Sequence, residues 1–183
     1  MQRQRDDIDR ILISENDLRV RIGELGQQIS RDYQDHPPLL VGVLKGAVMF
    51  LVDLARAIDL PVTLDFMAVS SYGASTQSSG VVRILKDLDQ GIEGRHVLLV
   101  EDIVDTGLTL RYIVENLRDR GPESVRICAL IQYVKPSEFT IPIDYVGFDI
   151  PDEFVVGYGL DFGEVYRNLP YVGVLRPRAY GHG

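Results

Sequence analysis

Acids, hydroxyls and a glycine crowd one short stretch of this chain, Glu101-Asp102-Ile103-Val104-Asp105-Thr106-Gly107-Leu108-Thr109. The apolar run from Val97 to Val100 precedes it, and a helical pattern of Leu110, Ile113, Val114 and Leu117 follows. This reads as a buried strand that ends in two adjacent acids, turns, and enters a helix through Thr106, Gly107 and Thr109. A helix entrance presents unpaired amides and the positive end of the peptide dipole, which suits a phosphate dianion. Gly107 lets the backbone approach closely, and the threonine hydroxyls add donors. Glu101 and Asp102 repel phosphate; carboxylates placed there accept from a vicinal diol or serve a divalent metal. A phosphate seat beside a diol clamp fits a ribose 5-phosphate. The plainer alternative is a strand whose solvated acids cap the next helix. The coincidence of acids with a Thr-Gly-x-Thr turn at one strand–helix junction favours the sugar phosphate.

The elements that must hold this turn are legible on either side of it. Ser14-Glu15-Asn16-Asp17 resembles a capping box with Asp in place of Glu, and Leu18, Ile22, Leu25 and Ile29 recur at helical spacing, predicting a helix over about residues 15–33. Pro37-Pro38 ends that region, and residues 39–44 form a run of strand length. Gly46 opens a second helical pattern through Phe50, Leu51, Leu54 and Ile58. Residues 61–70 read as a strand with Val62, Leu64, Phe66 and Ala68 on one side, residues 71–81 as a loop, and residues 82–88 as a strand. The helix after the central turn spans 107–120 and stops at Gly121-Pro122. Further strands are expected at 125–131, 145–148, 154–158 and 171–175. Strands alternating with helices predict an α/β fold, a mostly parallel twisted sheet flanked by helices. The β-rich end suggests a small hood or an antiparallel edge. The ligand belongs beyond the carboxyl ends of the strands.

Bulk composition excludes several classes. At 183 residues, 45% hydrophobic and 25% charged, the chain suits a single globular domain over residues 1–183. A formal net charge of -8 argues against a nucleic-acid partner, whose binder needs a basic face. An anionic small molecule must then find its positive potential locally. Lys45 and Asp53 interrupt the longest apolar run (41–55), which excludes a membrane span, and the start Met1-Gln2-Arg3-Gln4-Arg5 has no apolar core. A cytoplasmic protein is expected. The single cysteine, Cys128, lies in an apolar stretch and reads as a buried small hydrophobe. His36, His96 and His182 are scattered without metal-ligand spacing. Gly157 to Gly163 has one residue too many for a dinucleotide fingerprint.

The central turn resembles the phosphoribosyl diphosphate signature of type I phosphoribosyltransferases. Further stretches narrow the resemblance to the hypoxanthine-guanine phosphoribosyltransferases: Val43-Leu44-Lys45-Gly46, Val69-Ser70-Ser71-Tyr72-Gly73, and Gly147-Phe148-Asp149-Ile150-Pro151-Asp152-Glu153-Phe154-Val155-Val156-Gly157-Tyr158-Gly159-Leu160-Asp161. They stand in family order and span roughly residues 40–175. The resemblance implies transfer of the 5-phosphoribosyl group from phosphoribosyl diphosphate to hypoxanthine or guanine, giving IMP or GMP and diphosphate in purine salvage. It implies Mg²⁺ as cofactor, on Glu101, Asp102 and Asp161, because the departing diphosphate must be neutralised. Asp105 matches the general base toward N7 of the purine; its plainer role, a helix cap, is compatible. Glu101, Asp102, Asp105, Thr106, Gly107, Leu108 and Thr109 match the phosphoribosyl site. Lys45 and Gly46, in a loop where the family has a non-proline cis peptide, and Arg167 match diphosphate ligands. Ser71 and Tyr72 match a mobile lid over the reacting centre.

Phe154 matches the aromatic that stacks on the purine, with Val155 and Asp161 beside the base. The family lysine that donates to O6 of the purine has two candidates here. Ungapped counting from Phe154 arrives at Tyr133; Lys135 stands two residues later, in a recognisable Lys135-Pro136-Ser137. The resemblance also implies a homodimer or homotetramer. Two other functions stay in view: transfer to xanthine or another base, and a non-catalytic sensor of phosphoribosyl diphosphate on the same fold. Intact Lys45, Asp105 and Arg167 argue against the sensor.

Overall fold

The computed structural model describes residues 4, 6–71, 82–134 and 141–180. In chain order its elements are β1 (Ile8–Ile13), α1 (Glu15–Asp32), β2 (Leu39–Leu44), α2 (Val48–Ala57), β3 (Thr63–Ser71), β4 (Val82–Lys86), β5 (His96–Val104), α3 (Leu108–Arg118), β6 (Ser124–Tyr133), β7 (Tyr145–Ile150), β8 (Val155–Val156), β9 (Val172–Leu175) and α4 (Pro177–Tyr180). Six strands form the central sheet in the order β4-β3-β2-β5-β6-β7. All its pairings are parallel except β3 with β4. The fold class read from the sequence is the one observed.

Strand β5 lies at the middle and is covered on both faces. Leu98 and Val100 join the core under α1 and α2, while Val97 and Leu99 join the core under α3. Alternation of side chains across a strand gives this division, and continuous apolarity is what two covered faces require. In α1, the Ser14 hydroxyl accepts from the Asp17 amide and Asp17 reaches back to the Ser14 amide, so the capping box closes as expected. Helix α1 crosses α2 at Gly26, where a Cβ would stand 2.5 Å from the Ala57 carbonyl oxygen; only glycine admits that approach.

A second, three-stranded antiparallel sheet, β1-β9-β8, makes the hood. Its first strand was not foreseen. Ile8 to Ile13 alternates too weakly to stand out, and its pairing partner, β9, lies at the opposite end of the chain. Other boundaries moved for local reasons. Strand β5 does not end at the acids but continues through them to Val104, because β6 keeps pairing alongside as far as Val104↔Gln132. Helix α3 starts at Leu108, since Gly107 sits at φ 78° and caps it from the left-handed region. The strand expected over 154–158 shrinks to β8, and Leu64 on β3 stays 47% exposed while Met67 is buried.

Cys128 is fully buried and its thiol is pushed up by that burial, which fits an inert core residue. Two histidines that are distant in sequence do meet: the His36 and His96 rings lie 5.3 Å apart, with His96 Nδ1 2.7 Å from the Ser124 hydroxyl. They stand at the start of β5, the end of the sheet away from the acids. Among the described residues, no helix is long and apolar enough to cross a membrane.

Candidate active site

The acids and the cations come together where the loop after β2 meets the last residues of β5. Asp102 accepts from the Ile103 amide at 3.0 Å. Its other carboxylate oxygen packs against the Gly46 backbone so closely that a Cβ on Gly46 would fall 1.7 Å from it. Gly159, at φ 101°, backs onto the same loop: a Cβ there would meet the Gly46 carbonyl oxygen at 2.0 Å. Glycine is required at both positions, at the second also for its backbone conformation. The Leu44–Lys45 peptide bond is cis, as the resemblance implies.

The loop after β8 brings in the remaining charges. Tyr158, Glu164 and Tyr166 take positive φ values of 51°, 64° and 76°. Non-glycine residues hold such conformations only where surrounding contacts fix them. The Tyr158 hydroxyl donates to Asp53 at 2.6 Å and the Tyr166 hydroxyl to Asp7 at 3.0 Å. The Glu164 amide donates to Asp161 at 2.8 Å. Arg167 donates to the Gly159 carbonyl and to Asp161, both at 2.8 Å, and reaches Glu164 at 3.2 Å. Lys45 donates to the other Glu164 oxygen at 2.6 Å.

Electrostatics mark this corner as unusual. Burial pushes the Glu101 carboxyl well above its ordinary value, and the adjacent Asp102 adds to the shift. Burial also raises Asp102 to about 6; the Ile103 amide and Arg167 oppose the shift, and Asp161 reinforces it. Lys45 first, then Arg167, hold Glu164 below its ordinary value. The Arg167 Nε–H is buried with no acceptor among the described residues.

The expected metal set is Glu101, Asp102 and Asp161. Among the described residues no three acidic or imidazole side chains are gathered to hold an ion. Asp161 contacts Arg167 and the Glu164 amide. Mg²⁺ does not demand such a cluster, because it keeps several waters and takes one or two carboxylates plus phosphate oxygens. The desolvated pair of Glu101 and Asp102, with Asp161 close enough to raise Asp102, fits that looser mode.

Asp105 and Thr106 are exposed at the turn into α3, and Gly107 is buried beneath them. The Thr106 hydroxyl touches the Leu108 amide only at 3.4 Å, and Thr109 lies in the first turn of α3. Amides at a helix entrance such as this one suit an anion. Phe154 is 42% exposed and meets the Phe162 ring edge-on at 5.7 Å between centroids. A partly exposed aromatic ring is the kind of surface a planar base can stack on. Val155 is buried and paired with Val174 in the hood sheet. Tyr133, at the end of β6, donates its hydroxyl to the Glu153 carbonyl at 3.0 Å, next to Phe154. Lys135, Tyr72 and the Ser71 side chain lie outside the described residues.

Glu164 was missed in the sequence, although it stands between Asp161 and Arg167 and is the link from that stretch to Lys45. A cleft of about 750 Å³ runs beside the site, bounded by Leu18, Ile22, Met49, Asp53, Tyr158 and Arg167. It shares Arg167 with the charged corner but excludes the β5–α3 turn.

A family model described as a phosphoribosyl transferase domain matches residues 9–163. The chain is 54% identical over 180 residues to a hypoxanthine-guanine phosphoribosyltransferase from Mycobacterium tuberculosis, covering 95% of this chain and 89% of that one. It is 52% identical over 174 residues to the enzyme of the same name from Bacillus subtilis, covering 95% and 97%. Among solved structures, a hypoxanthine phosphoribosyltransferase from Staphylococcus aureus superposes with a TM-score of 0.93 at 47% identity, covering 97% of this chain and 96% of that one. A shared fold, near-complete coverage and this level of identity agree with the charged corner described above: the chain belongs to the phosphoribosyltransferase family, among the hypoxanthine-guanine phosphoribosyltransferases.

Proposed function

We propose that this protein transfers the 5-phosphoribosyl group of phosphoribosyl diphosphate to hypoxanthine or guanine, releasing diphosphate and forming IMP or GMP. The observation that carries the reading is that Lys45 and Arg167 meet on Glu164, with Arg167 on Asp161 and the Gly46 backbone against Asp102, on the strand that leads into the turn at Gly107. This arrangement supports a reading in which the cations serve a diphosphate, the carboxylates a ribose, and the turn after β5 a 5′-phosphate.

Each residue then has a task. Amides of the turn from Asp105 to Thr109 hold the 5′-phosphate, and Glu101 and Asp102 accept from the ribose hydroxyls. Lys45, the Gly46 backbone and Arg167 hold the diphosphate. Phe154 stacks on the base. Asp105, exposed at the turn, takes or shares the purine N7 proton as the new bond forms at the anomeric carbon. Asp102, with Glu101 or Asp161, would hold Mg²⁺, which would supply charge neutralisation for the departing diphosphate. Ser71 and Tyr72 close over the centre and exclude water. Lys135, or Tyr133 in its place, donates to O6 of the purine. The enzyme works in the cytoplasm, on soluble substrates, as a homodimer or homotetramer.

The decisive assay is a panel of hypoxanthine, guanine, xanthine, adenine and uracil with phosphoribosyl diphosphate and Mg²⁺, following nucleotide formation. Product from hypoxanthine and guanine, with none from adenine or uracil, is the expected result. Product from xanthine alone would move the specificity, and binding of phosphoribosyl diphosphate without product from any base would leave a sensor.

A further inference from the structure

Glu164 touches both cations that the proposed reading assigns to diphosphate. Lys45 lies 2.6 Å from one of its oxygens and Arg167 3.2 Å from the other. The Lys45 and Glu164 side chains are 66% and 63% exposed, so neither is locked in place by packing. The Glu164 backbone is nevertheless set: its amide is tied to Asp161 and its φ is 64°. The carboxylate is therefore aimed at the cations by a fixed backbone while its own reach remains adjustable. A diphosphate offers the same chemistry, anionic oxygens spaced to accept from both nitrogen groups at once.

We propose that Glu164 is an internal competitor for the diphosphate subsite, a carboxylate that occupies Lys45 and Arg167 and is displaced when a diphosphate oxygen takes them. The proposal rests on the phosphoribosyltransferase reading and adds a positioning residue to it. Glu164 keeps the two cations together and oriented, at a cost in affinity for diphosphate and for the diphosphate sugar. The same exchange runs in reverse on release: the carboxylate re-engages the cations as diphosphate leaves, so the site does not hold its product too tightly. A simple brace would do the opposite, and its loss would weaken diphosphate binding.

The test is isothermal titration of Mg²⁺-diphosphate into the whole enzyme as wild type, E164Q and E164N, alongside KM, kcat and thermal unfolding. Asparagine is included because it tolerates a left-handed backbone better than most residues and so guards against misfolding. Exposed ion pairs are individually weak, and two of them together predict a tightening of about 3–20-fold in both variants. KM for phosphoribosyl diphosphate should fall with it, inhibition by diphosphate should strengthen, and KM for the base should stay within about twofold. The gap between variant and wild type should narrow at high salt, where exposed pairs are screened. Wild type that binds diphosphate and makes nucleotide, while folded E164Q and E164N bind no tighter or more weakly, would overturn the competitor role alone. Wild type that neither binds diphosphate nor makes nucleotide would overturn the reading beneath it.

Discussion

Replacing Asp102 with asparagine should stabilise the free protein at neutral pH while crippling the reaction. Asp102 is a largely buried carboxyl raised from 3.8 to about 6. In the pH range between these values the folded state holds a proton that the unfolded state has lost, so the group costs stability as pH rises. A gap of about two units corresponds to about 3 kcal/mol once both states are ionised. Asparagine removes that cost but must still find an acceptor for its amide hydrogens against the Gly46 backbone, which lowers the net gain to about 1–3 kcal/mol. Its carbonyl can keep the Ile103 amide. Removing the charge also eases Glu101, whose carboxyl Asp102 helps to raise. For a chain of this size the gain translates into about 3–10 °C in Tm. The assay is thermal unfolding of both proteins from pH 4 to pH 8 without added Mg²⁺. The difference should be full above pH 6, about half at pH 5, and nearly gone at pH 4. A constant difference across that range, or a less stable D102N at pH 8, would refute the account of a desolvated carboxylate. Turnover should fall in the same variant, because the charge that costs stability is the charge that the proposed mechanism gives to ribose and metal.

Asp105→Asn should lower kcat by about 10²–10⁴-fold while changing affinity for phosphoribosyl diphosphate much less; unchanged turnover would remove it as general base. Gly46→Ala puts a methyl 1.7 Å from Asp102 Oδ2, so the loop or the acid must move; stability should drop by about 1–3 kcal/mol and KM for phosphoribosyl diphosphate should rise. Normal kinetics in that variant would show that the Gly46–Asp102 packing is not needed. Lys135→Met should cost discrimination between 6-oxopurines and adenine, and Tyr133→Phe should cost mainly the 3.0 Å bond to the Glu153 carbonyl; the opposite pattern in the base panel would give the O6 contact to Tyr133. Excess chelator should abolish nucleotide formation, and full activity in its presence would remove Mg²⁺ from the reaction.

Local chemistry determined what could be read in order along the chain. The capping box at Ser14 closes through contacts three residues apart, and the stripe from Leu18 to Ile29 follows from helical period alone. The turn and helix entrance around Gly107 are equally local, so they could be read before any tertiary contact was known. What the tertiary structure decided were the encounters between distant segments. β1 became a strand only because β9 pairs with it, and β5 continued through the acids only because β6 runs beside it. Asp102 became a high-pKa carboxyl because packing against the Gly46 loop removed its water, a term that no spacing encodes. The same logic draws Asp161 to Arg167, in a loop of positive φ values anchored at Asp53 and Asp7. Glu164 is the clearest case. In the sequence it is one acid among many, and it gains meaning only where folding brings Lys45 within 2.6 Å of it. Charge type is written in the residue, but partner and solvent access are set by the chain around it.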